Sequence, residues 1–213
     1  TMLEKSGVAK DLLYALQIML RKVPGGLALS VTIMGTIMAA TTGIIGASVV
    51  MMTLLALPVM LERKYDKSLS TGTIAASGTL GILIPPSIML VIMADLLAIS
   101  VGTLFVASVL PGLLLATLYF IYLFLRTRFN PSLAPPLPDE IGPADAKEKL
   151  KLIFKSFLPP IFLIILVLGS IFGGFATPTE AAGVGALGSI LLAILNKRLN
   201  FKVLKEVTER SAL

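Results

Sequence analysis

The stretch Ser77-Gly78-Thr79-Leu80-Gly81-Ile82-Leu83-Ile84-Pro85-Pro86-Ser87 interrupts a long uncharged run and restricts what the chain can become. Apolar residues flank it on both sides, which places it at membrane depth. Two adjacent prolines remove two backbone donors and clash with the preceding helical turn, and residue 84 is driven from helical geometry by the proline that follows it. The helix must open here. In hydrocarbon, opened backbone is tolerated only where it lines a protein cavity or an ion site. A single proline would give a kinked span. Gly-x-x-Gly-x-x-x-Pro-Pro favours a discontinuous helix, the element with which secondary transporters hold coupling ions.

Composition agrees with a membrane setting. Of 213 residues, 56% are hydrophobic and 14% charged, and mean hydropathy is +0.94, against roughly 25% charged in soluble domains. The fold class is therefore all-α integral membrane. There is no cysteine and no histidine, which excludes disulfides, thiolate or imidazole metal sites and histidine-based triads. No lysine lies within a span to form a Ser-Lys pair, so the chain is read as no enzyme. A net charge of +6 would suit nucleic acid, but the basic residues flank apolar spans, where membrane topology explains them. The partner is the lipid bilayer and not nucleic acid. The chain begins at Thr1 without a signal-like segment and stops within an amphipathic stretch, so a piece of a longer protein is expected.

Four segments follow. Residues 1–26 form an amphipathic interfacial helix, with Lys10, Asp11, Gln17 and Arg21 along one side and Pro24-Gly25-Gly26 as its end. Residues 27–99 hold a helical hairpin and the broken helix. From Val23 to Leu61 there is no charge, too long a run for one span of about 20 residues, yet its middle, 41–48, offers no polar aqueous loop. A re-entrant hairpin with its tip inside the membrane satisfies this. It also returns the chain to one side, uniting Arg21 and Lys22 with Arg63, Lys64 and Lys67, as the positive-inside rule demands. Residues 100–198 supply further spans (104–125, 157–175 and 181–196) around a cytoplasmic loop at 129–156. Residues 199–213 form an amphipathic surface segment. Every basic residue from Arg21 onward then faces the cytoplasm.

The hairpin tip and the break share what a bare cation can use: free carbonyls, hydroxyls at Thr41, Thr42, Ser48, Ser77, Thr79 and Ser87, and no charged side chain. Glycines 43, 46, 78 and 81 allow close backbone approach, although small residues equally serve helix packing. Asp95 reads as a loop acid. Glu180 reads as a favourable charge at a helix start capped by Thr177 or Thr179, with Pro178 in the first turn. Tyr119 and Tyr122 read as interfacial aromatics.

Taken in order, Val23-Pro24-Gly25-Gly26-Leu27-Ala28, Thr42-Gly43-Ile44-Ile45-Gly46-Ala47-Ser48, Lys64-Tyr65-Asp66, the Ala76–Ser87 stretch, Leu110-Pro111-Gly112 and Thr177-Pro178-Thr179-Glu180-Ala181-Ala182 span nearly the whole chain. In this set the chain resembles the large membrane subunit (DctM type) of tripartite ATP-independent periplasmic (TRAP) transporters, in the ion-transporter superfamily. The resemblance implies an elevator-type transporter of which this chain carries the first of two inverted repeats, with sodium held where a hairpin tip meets a broken helix. Carried over, a sodium site would use Thr41, Thr42 and Gly43 from the tip with Gly78, Gly81, Pro85 and Pro86 from the break. Relatives often have Ser-Gly-Ser at the tip where this chain has Thr42-Gly43-Ile44, so the last ligand must be a main-chain oxygen. The resemblance also implies a small membrane subunit, a periplasmic substrate-binding protein, an organic-acid substrate and a place in the bacterial or archaeal cytoplasmic (inner) membrane. Thr42, Gly46, Ser48 and Thr79 are then the candidate substrate contacts. The function expected is sodium-coupled uptake of an organic acid. The alternative is an ion channel or other membrane-assembly subunit with a Gly/Thr-rich re-entrant loop.

Overall fold

The computed structural model describes residues 7–43, 45–136 and 145–195, with Lys205, Val207 and Thr208 beyond them. The middle of the 129–156 loop and most of the 199–213 segment lie outside the described residues. Among the described residues the long regular elements are α-helices: α1 Val8–Leu20, α2 Gly26–Thr42, α3 Ile45–Glu62, α4 Lys67–Leu83, α5 Ile88–Leu96, α6 Val101–Phe129, α7 Ala146–Phe172 and α8 Pro178–Leu195, with a short 3-10 turn at Pro131–Leu133. Five stretches are long and apolar enough to cross a bilayer: Ile45–Glu62, Lys67–Leu96 taken as one, Val101–Phe129, Lys147–Phe172 and Pro178–Leu195. The chain is a multi-pass membrane protein. Helix α2, at 17 residues, is shorter than the ~20 that a span ordinarily needs.

Helices α2 and α3 form a hairpin, and α4 packs against both of its arms. Helix α6 lies on α2 and α4, α1 rests on α2 and α7, and α8 pairs with α7. Lipid is as apolar as leucine, so close packing and hydrogen bonds must hold such helices together. Small residues provide the approach. A Cβ on Gly35 would stand 2.6 Å from Ser77 Cβ, and one on Gly188 would stand 2.8 Å from Leu163 Cδ2. Met34, Met38, Met52 and Met60 fill the space between the helices, where a flexible thioether adapts to irregular gaps.

Helix α1 departs from the sequence reading in one respect. Gln17, placed on the polar side by spacing, is only 8% exposed. The helix is covered on more than one side by α2 and α7, so it buries Leu12, Leu13, Leu16 and Ile18 together with Gln17.

Three turns meet at one end of the bundle. Gly25 adopts φ +70 between α1 and α2. There Thr127 Oγ1, at the end of α6, lies 3.0 Å from Pro24 O and 2.9 Å from Leu123 O. Tyr65, 3% exposed, accepts the Leu27 N–H on its phenolic oxygen at 3.2 Å, satisfying one of the donors that a helix start leaves open. Burial pushes this phenol up from 10.0 to about 12, against a smaller downward pull from the Leu27 bond. Asp66 caps α4 by accepting the Leu69 N–H at 2.9 Å, while its own N–H donates to Leu133 O at 2.9 Å. The turns bearing Arg21, Lys22, Arg63, Lys64, Lys67, Arg126 and Arg128 therefore share one end, as the charge pattern requires.

Candidate functional site: a junction of four helix ends

Helix α2 stops at Thr42 because Gly43 turns left-handed at φ +62 and donates its N–H to Ala39 O at 3.2 Å. Helix α3 then starts at Ile45. Helix α4 stops at Leu83. Ile84 is extended at φ −87, ψ 121, with its N–H returned to Leu80 O. Ser87 is extended at φ −124, ψ 131 before α5 begins at Ile88, and the Pro85-Pro86 bond between them is cis. Since neither proline has an N–H, the carbonyls of Gly81 and Ile82 lose the i+4 donors that a continuous helix would provide. The opening expected around residue 84 is present.

The two interruptions touch. Gly43 sits so close to Pro86 that a Cβ there would collide with the Pro86 carbonyl oxygen, and it would stand 3.6 Å from Ser87 Cα. Both the left-handed φ and this contact require glycine. Helix α6 packs against the same junction. A Cβ on Gly112 would lie 3.0 Å from Ile84 Cγ1 and 3.3 Å from Leu83 O. Gly112 falls eleven residues after the start of the 29-residue α6, about 17 Å along that apolar helix at 1.5 Å per residue.

Four helix termini converge at this point. The C-terminal ends of α2 and α4 carry partial negative charge, and the N-terminal ends of α3 and α5 carry partial positive charge, about half an elementary charge each. The first pair suits a cation and the second an anion. Between Lys67 and Asp95 the sequence has no charged residue. Among the described residues no three of His, Cys, Asp and Glu come together, so neutral oxygens are the ligands on offer here. One of them stands out. Ser87 is 1% exposed, and its Oγ has no hydrogen-bond partner among the described residues. Leaving a buried hydroxyl unsatisfied costs about 1–3 kcal/mol.

The candidate residues distribute as follows. Gly43 and Pro86 are in contact; Gly81 and Pro85 lie buried at the break. Thr41 Oγ1 donates to Met38 O at 2.9 Å, which leaves its lone pairs available. Thr42 ends α2, but its side chain lies outside the described residues, as does Ile44. Gly78 is elsewhere: a Cβ there would strike the Val49 side chain, so it sets the approach of α4 to α3. Thr79 is exposed and donates to Ala76 O at 2.8 Å. Gly46 faces open space, and Ser48 is 1% exposed. The sequence reading counted the Ser87 hydroxyl among cation-compatible groups but left it out of the site; its place as N-cap of the second half-helix is the signal that would have included it. Gly112 stands out only within the Leu110-Pro111-Gly112 stretch; its contact with the break depends on a neighbouring helix and gives no local signal.

At the start of α8, Glu180 and Thr177 form a reciprocal capping box. Thr177 N–H donates to Glu180 Oε2 at 2.8 Å, and Glu180 N–H donates to Thr177 Oγ1 at 3.3 Å. Of the two threonines considered for this cap, it is Thr177 that fills it.

A family model described as "Tripartite ATP-independent periplasmic transporter, DctM component" matches residues 1–213. The chain is 35% identical over 193 residues to the C4-dicarboxylate TRAP transporter large permease protein DctM of Vibrio cholerae, covering 91% of this chain and 41% of that protein. It is 34% identical to the Pseudomonas aeruginosa protein of the same name, over 88% of this chain and 42% of that one. It is 33% identical to the isethionate TRAP transporter permease protein DctMQ of Oleidesulfovibrio alaskensis, over 87% of this chain and 28% of that protein. The chain thus spans less than half the length of these curated relatives.

Proposed function

The chain belongs to the DctM component family of tripartite ATP-independent periplasmic transporters, a family of transporters rather than enzymes, and from that membership we propose that it forms half of the machinery for sodium-coupled uptake of an organic anion. The hairpin α2–α3 is re-entrant, entering and leaving on the basic side. Its tip and the α4/α5 break together hold one sodium ion. Carbonyls at Gly81 and Ile82, the α2 end at Thr41 and Thr42, and Ser87 Oγ are its oxygen ligands; Gly43, Pro85 and Pro86 shape the backbone around it. A hard, monovalent cation suits uncharged oxygens at helix C-terminal ends.

The substrate anion lies on the other side of the same junction, toward the α3 and α5 N-termini, with Gly46 and Ser48 nearest. Dicarboxylate and isethionate appear in the relatives' names, and small carboxylate- or sulfonate-bearing acids are the substrate class. The remaining half of the permease, a small membrane subunit and a periplasmic binding protein complete the system in the cytoplasmic membrane. The observation that carries this reading is the contact of Gly43 with Pro86 beside an unpartnered Ser87 hydroxyl.

The test is Gly81→Leu in the intact permease, reconstituted with its partners. Sodium-dependent uptake should be lost while membrane insertion persists, because the added side chain obstructs the opened backbone. Uptake at the normal rate would refute the site.

A further inference from the structure

A cavity of about 310 Å³ opens between α4 and α6 and runs from the end of the bundle where the basic turns gather inward to Ser77, one helical turn short of Gly81. Its rim carries one charge of each sign, Asp66 and Arg126, and among the described residues no ion pair joins them. Tyr119 and Tyr122 stand on the α6 side, and leucines floor the space. Thr73 lines the wall at 4% exposure, and its Oγ1 has no hydrogen-bond partner among the described residues. Beside it, Gly72 faces open space: a Cβ there meets nothing within 4 Å. The cavity therefore offers a cation and an anion at its mouth, where the basic turns gather, with an unsatisfied hydroxyl and apolar walls further in.

We propose that this cavity binds the headgroup of a zwitterionic aminophospholipid, phosphatidylethanolamine, from the cytoplasmic leaflet. Arg126 takes the phosphate, since guanidinium pairs with phosphate in a bidentate manner. Asp66 takes the ammonium, and Thr73 Oγ1 donates to a phosphate or ester oxygen. The leucine floor receives the first carbons of the acyl chains. An acidic lipid such as phosphatidylglycerol satisfies Arg126 but sets its hydroxylated headgroup against Asp66 without a counter-charge. Discrimination between the two lipids thus rests on Asp66. The basic turns nearby attract acidic lipids to the surface in general, so the cavity's preference for a zwitterion is a distinguishing signature.

The experiment uses the intact permease complex, delipidated in detergent and supplied with equimolar phosphatidylethanolamine, phosphatidylglycerol and cardiolipin, with retained lipid read by native mass spectrometry. Phosphatidylethanolamine should be enriched at least fivefold over either acidic lipid. Gly72→Leu, whose Cβ meets nothing within 4 Å and whose branch extends into the space, should abolish that retention. Arg126→Gln, at an exposed position, should reduce it about tenfold with the elution profile unchanged, and Asp66→Asn, which keeps the helix cap, should erase the preference over phosphatidylglycerol. Equal retention of all three lipids by the unmodified complex would overturn the proposal. So would wild-type retention of phosphatidylethanolamine in the Gly72→Leu and Arg126→Gln variants.

Discussion

At the scale of single residues, Gly43 and Ser87 carry opposite constraints. Any side chain at Gly43 meets both a strained left-handed φ and the Pro86 carbonyl. Gly43→Ala should therefore cut sodium-dependent uptake at least tenfold, measured in proteoliposomes, with insertion preserved. Ser87→Ala separates binding from folding. Removing an unsatisfied buried hydroxyl relieves a desolvation cost, so the variant should melt no lower than wild type without sodium. Its melting temperature should then fail to rise when sodium is added, because only a ligand bound by the folded state shifts that equilibrium. A sodium-induced shift equal to that of wild type would remove Ser87 from the site. Tyr65 makes a different point. With its folded pKa near 12 above an ordinary value of 10.0, the unfolded chain loses this proton first. The stabilisation is complete below pH 10 and is lost as pH rises toward 12. Absorbance of the phenolate should show one tyrosine titrating late, and Tyr65→Phe should remove it.

Among elements, the broken helix shows how far local sequence can be read. The Pro85-Pro86 pair interrupts α4 and α5, yet Pro159-Pro160 lies inside an unbroken α7. A proline pair is thus insufficient. The first pair follows glycines at 78 and 81 and is met by a hairpin tip and by Gly112; the second follows Lys155-Ser156-Phe157-Leu158, with no glycine in the turn before it. Glycine spacing was visible in the sequence, and so were the uncharged hairpin and the cap at Thr177. The division of labour among glycines was not: Gly78 packs on Val49 while Gly43 packs on Pro86, and only the relative position of helices decides which does which. Replacing Pro85 and Pro86 together by alanine returns both backbone donors. The expected result is a protein of undiminished thermal stability that no longer responds to sodium; an unchanged sodium response would mean that the opening is irrelevant to the ion. The α8 cap is a control: Thr177→Val should cost about 1 kcal/mol of stability, seen as a lower melting temperature, without changing half-saturating sodium.

For the whole molecule, the latch at the basic end ties three parts of the chain to one another. Thr127 reaches from α6 to the Pro24 carbonyl, and Tyr65 reaches from the α3–α4 turn to the first turn of α2. Both act on the same corner, so their effects should be non-additive. Thr127→Val and Tyr65→Phe are each expected to lower stability by about 1 kcal/mol, with a double-mutant cycle in thermal denaturation showing coupling above ~0.5 kcal/mol. Additive losses would mean that the two bonds hold independent pieces. The uncharged junction has a last consequence. Because it is built from peptide dipoles and hydroxyls alone, the junction adds no formal charge of its own to whatever it holds. In the proposed cycle the charge it carries is set by its cargo.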